Sequence, residues 1–109
     1  MIPPKVLTEL LDLIAHGERK LESDELRLWT RIKISPERWP AGNYGEETGG
    51  FWVVGIIGNQ VLWYNEIEEG FAFSEFTEFG RIDELRYEQD DLNIPIFRLM
   101  RYFKDGTPE

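Results

Sequence analysis

Residues 51–65 read FWVVGIIGNQVLWYN, two apolar extended runs joined by Gly58-Asn59. A Gly-Asn pair between such runs is a hairpin signature, because the tight turns that match strand twist need positive φ. With a two-residue turn, Ile57 faces Gln60, Ile56 faces Val61, Val54 faces Trp63 and Val53 faces Tyr64. One face then carries Trp52, Val54, Ile56, Val61 and Trp63, and the other Phe51, Val53, Ile57, Leu62 and Tyr64. Both faces are apolar, so the hairpin belongs in the middle of a sheet with something covering each side. A one-residue slip would exchange the two sets.

Working outward, the flanking segments supply the cover. Leu7, Leu10, Leu11 and Ile14 fall at i, i+3, i+4, i+7, the stripe of an amphipathic helix, with Pro3-Pro4 suiting its entry and His16-Gly17 its exit. The polar stretch 18–24 is then a connection. From Leu26 the alternation Leu26, Leu28, Thr30, Ile32, Ile34 predicts a strand, its other face carrying Arg27, Trp29, Arg31 and Lys33. Pro36 stops that strand or confines its end to an edge, and residues 36–50 read as irregular. EIEEG (66–70) is a turn. FAFSEFTEFG (71–80) alternates through Phe73, after which Phe76 and Phe79 lie three apart and the segment is left unassigned. Residues 81–88 read as a further strand. Ile96, Leu99, Met100 and Phe103 repeat the helical stripe, with Asp90, Asp91 or Asn93 as the cap and Pro95 in the first turn. The pattern predicts one α+β domain over residues 1–109: a mainly antiparallel sheet of four or five strands, flanked by an N-terminal and a C-terminal helix.

Composition narrows the chemistry. The 109 residues include 21 acidic and 12 basic side chains, one histidine and no cysteine. The missing cysteines exclude disulfides, thiol catalysis and cysteine-based metal sites. A net charge of -9 argues against nucleic-acid binding, which needs cations to displace counterions from phosphates. No apolar run is long enough to span a membrane. The start, MIPPKVLTELLDLIAHGE, does not read as a signal peptide. No Ser-His-acid context or Lys-Ser/Thr phosphate cradle is present, and EIEEG lacks the spacing of a calcium loop. The reading therefore assigns no catalytic residue, no metal and no cofactor.

What remains is charge and aromatics. Residues 66–91 hold ten acids against two arginines, a local charge of -8. Clustered like charges steer an oppositely charged partner within about a Debye length, ~10 Å at moderate salt. The predicted face for a basic protein partner comprises Glu66, Glu68, Glu69, Glu75 and Glu78. Trp39 and Tyr44, in the proline- and glycine-rich stretch, are its candidate aromatic anchors. Two other readings compete. A small carboxylate-dependent enzyme, or a carbohydrate or small-ligand binder, would set Glu66 or Glu68 beside Trp63 and Tyr64. A hairpin apolar on both faces also suits a self-associating homodimer if the helices cover only one side.

Residues 49–91, GGFWVVGIIGNQVLWYNEIEEGFAFSEFTEFGRIDELRYEQDD, resemble a group of small uncharacterised bacterial proteins that share the hairpin and the acidic, aromatic turn. The resemblance implies a bacterial cytoplasmic setting and carries no functional residue. In character, though not in motif, the chain is similar to bacterial immunity proteins, which implies neutralisation of a basic toxin.

Overall fold

The computed structural model describes residues 6–41 and 49–105. Two helices come first, α1 (Leu7–Glu18) and α2 (Ser23–Ile32). Four strands follow: β1 (Lys33–Trp39), β2 (Phe51–Ile57), β3 (Gln60–Asn65) and β4 (Gly70–Glu75). Helix α3 (Asn93–Asp105) closes the chain. The strands form one antiparallel sheet in the order β1-β2-β3-β4. This is the expected α+β class, with a third helix in place of a predicted strand.

That helix is the first correction. Residues 26–32 alternate in hydropathy, yet they belong to α2, because the side chains that reach the core follow the helical period. Glu25, Trp29 and Ile32 are buried, while Leu26 is 44% exposed. The start signal lies in Glu22-Ser23-Asp24-Glu25: the Glu22 amide donates to Glu25 Oε1 at 2.8 Å, satisfying a donor that has no intrahelical partner. Trp29 does not lie on a cationic strand face. Its indole N–H donates to Glu18 Oε2 at 2.7 Å, tying α2 to the end of α1. Helix α1 also runs one residue past the expected exit. Gly17 sits inside it, where a Cβ would come within 2.5 Å of Leu92 Cβ. Pro3 and Pro4 lie outside the described residues.

The hairpin forms at Gly58-Asn59, with Gly58 at φ +59 and the pairs Ile57↔Gln60 and Ile56↔Val61 as expected. The register then shifts. Gly55 faces Leu62, Val53 faces Trp63 and Trp52 faces Tyr64, so Val54 is an extra residue on β2. At this bulge Val54 and Gly55 both point to the helical side, and Val53 and Ile56, three apart, point to the other. The predicted face sets are thus exchanged for part of their length. Gly55 suits the bulge because its missing side chain leaves 3.2 Å between a would-be Cβ and the Trp29 ring.

Each face has its own core. On one side Val54, Leu62, Tyr64 and Phe71 pack with Leu10, Ile14, Trp29, Ile32, Leu92 and Ile96, so all three helices share that face. On the other, Phe51, Val53, Val61 and Trp63 are covered by Trp39, Ala41 and Ile82, with Phe76 and Leu85 at the margin. The hairpin is therefore sandwiched, as its two apolar faces require. Residues 81–88 do not form a strand. Apart from one parallel bridge, Ala41↔Ile82, they run as a strap from the second face round β4 to the first. The strap crosses close above Gly70, where a Cβ would collide with the Glu88 carbonyl, and Phe71 N–H donates to Asp90 O at 2.8 Å. Pro36 lies within edge strand β1, at a register shift between Lys33 and Glu37, so it removes no donor from a central ladder. In α3 the stripe holds at Ile96 but ends in solvent, with Phe103 53% exposed.

Candidate functional site

The acidic residues do not form one field. Glu66, Glu68 and Glu69 lie in the turn before β4, and Glu75 and Glu78 lie at or beyond its far end. At ~3.3 Å per residue the ends of β4 are roughly 17 Å apart, beyond the ~8–10 Å reach of screened charges. A third group is neutralised singly. Asp90 pairs with Arg98 at 3.1 Å and Glu88 with Arg86 at 3.8 Å. Asp91 takes Lys20 at 2.8 Å and His16 at 3.3 Å. The Lys20 hydrogen bond holds the Asp91 carboxyl below the usual carboxylate range.

Of the aromatic anchors, Tyr44 lies outside the described residues, and Trp39 is 2% exposed. The Trp39 indole N–H donates to Glu37 Oε1 at 3.1 Å, and its ring supports two others. Phe76 stands edge-on to it at 5.3 Å and Phe79 at 4.8 Å, with the two phenylalanines 6.1 Å apart. Trp39 offers no surface of its own and instead seats Phe79. At 68% exposure, Phe79 is the most exposed large apolar side chain among the described residues.

The loop that presents Phe79 is stapled. Phe76 N–H donates to Asn59 O at 2.9 Å, Asp83 N–H to Glu75 O at 3.0 Å and Ile82 N–H to Pro40 O at 2.9 Å. The Thr77 hydroxyl and amide both donate to the Asp83 carboxylate, at 2.9 and 3.2 Å. Gly80 supplies the turn at φ +99, a conformation that L side chains rarely adopt. The same short segment carries Glu75, Glu78, Asp83 and Glu84, all exposed. Arg81 is the one basic side chain among these four acids. An aromatic ring is thus held in solvent beside four exposed carboxylates. Sequence reasoning named Glu75 and Glu78 but missed Phe79. Its signal was the loss of alternation after Phe73, followed by two phenylalanines three apart and then Gly80.

The carboxylate-pair alternative needs Trp63 or Tyr64 in a cleft. Trp63 is fully buried and donates to Ser74 Oγ at 2.9 Å, and Tyr64 is 2% exposed. Burial, reinforced by the charges of Glu69, Glu66 and Glu9, pushes the Tyr64 phenol up to about 12. Three surface cavities among the described residues contain neither aromatic, nor any of Glu66, Glu68 and Glu69. Among those residues no three His, Asp or Glu side chains are grouped to hold a metal ion, and no helix is long and apolar enough to cross a membrane.

In comparisons with known proteins, no family model, no curated protein and no solved structure matches the chain.

Proposed function

We propose that this chain is a non-enzymatic interaction module for a basic protein partner, with the docking face at the 75–84 loop. One observation carries the reading: Phe79 stands exposed on the Trp39 ring, in a segment with four exposed carboxylates against one arginine. Interface hot spots combine a large, rigid aromatic with a polar rim, and a seated ring loses little freedom on binding. A local excess of exposed carboxylates steers a cationic surface toward the ring. The Glu66–Glu69 turn, at the other end of β4, contributes at most a secondary contact. Neutralisation of a basic toxin in the cytoplasm by occluding its surface is the most concrete version of this role.

Site-specific photo-crosslinking of the full chain in an extract of its own source tests the reading. A crosslinker at position 79 is expected to capture a basic protein, with yield falling as salt rises and vanishing in Glu78→Lys/Glu84→Lys. Capture from position 69 instead, unaffected by those substitutions, would move the docking face or remove it.

A further inference from the structure

The groove between α3, the β2–β3 turn and β4 lies apart from the acidic loop, at the margin of the helical-side core. It encloses about 440 Å³, floored by Ile57, Phe71, Phe73 and Leu99, with Arg86 and Arg98 on its wall. Ligand sites are typically ~300–1,000 Å³, mostly apolar, with a few polar groups fixing orientation, and this groove has that make-up. At the ~30 Å³ liquid share of one water molecule, it has room for roughly a dozen non-hydrogen atoms. Its cations are the informative part. In a chain of net charge -9, two guanidiniums border one apolar cavity. Arg98 is held by Asp90 at 3.1 Å. Arg86 reaches Glu88 only at 3.8 Å, makes no side-chain hydrogen bond among the described residues, and has a 57% exposed side chain. Its planar fork is open to a bidentate acceptor. Because Glu88 and Asp90 already offset the two arginines, the wall suits one added negative charge and not a polyanion.

We infer that this groove binds a small monocarboxylate with an apolar body, its tail on Ile57, Phe73 and Leu99 and its carboxylate on Arg86. The test is amide NMR titration of the full chain with decanoate, 1-decanol and decylammonium below their aggregation limits. Decanoate is expected to shift the amides of Ile57, Phe73 and Leu99 saturably. It should bind about tenfold or more tightly than decanol, and Arg86→Gln should remove that advantage while leaving decanol unchanged. Leu99→Gln should weaken both. Equal binding of the acid and the alcohol, preference for decylammonium, or shifts confined to the 75–84 loop would overturn the assignment. So would sedimentation showing that Leu99 and the exposed Tyr102 instead bury against a second copy in a dimer that decanoate does not dissociate.

Discussion

Replacing Gly17 by alanine sets two physical effects against each other, and the structure decides which wins. In an unconstrained helix the change removes backbone entropy from the unfolded chain and stabilises by up to ~1 kcal/mol. Here the added Cβ would sit 2.5 Å from Leu92 Cβ and 3.2 Å from its backbone nitrogen and Cα. That neighbour is not the far end of a flexible side chain, so α1 and the strap must move apart. Forcing an extra methyl into such a contact costs ~1–3 kcal/mol, leaving a net loss of about 1–2 kcal/mol. With a slope of ~1–3 kcal/mol per molar urea, the unfolding midpoint should fall by roughly 0.3–2 M at unchanged slope. Because the contact is Cβ on Cβ, shortening Leu92 to alanine should not rescue the variant. A midpoint that rises in Gly17→Ala would refute the close packing of α1 on Leu92, and with it the path of the strap.

Three further outcomes follow from particular groups. Trp63→Phe removes the donor to Ser74 Oγ and strands a buried hydroxyl, so denaturation should show a loss of ~1–3 kcal/mol that Ser74→Ala partly recovers. Tyr64, ordinarily near 10, is raised to about 12 in the fold. Between these values the native state binds more protons than the unfolded one, so stability should fall across that window, by no more than ~2 kcal/mol, and Tyr64→Phe should abolish the decline. Asp24 is held low by its hydrogen bond from Lys104 at 2.6 Å. Its share of stability is therefore present above the ordinary carboxylate value and lost as pH falls through the lowered one. In Lys104→Met the Asp24 carboxyl, followed by NMR, should titrate higher than in the wild type.

The hairpin was legible because period, turn residues and two-sided hydropathy agree over residues 51–65. Its bulge was not, since the shift depends on Gly55 lying against Trp29, a contact between distant elements. Residues 26–32 satisfy a two-residue and a helical period at once, and the choice is made by Trp29 docking on Glu18. The strap at 81–88 keeps extended backbone without ladder pairing, and alternation alone does not separate the two. As for the site, the density of acids was plain in the sequence, but their separation into two groups follows from the length of β4. Trp39 was identified as a candidate anchor, but it is buried and seats Phe79, whose exposure only the fold reveals.

The central claim is best tested by the association kinetics of the crosslinked partner, once purified, with the wild-type chain and Phe79→Ala. Because Phe79 is already largely in solvent, the variant should fold with stability within about 0.5 kcal/mol of wild type. We expect an association rate that falls with salt for both chains, and dissociation faster in Phe79→Ala by roughly thirtyfold or more, the effect of losing a hot-spot aromatic. An association rate indifferent to salt, together with an unchanged dissociation rate, would contradict the account.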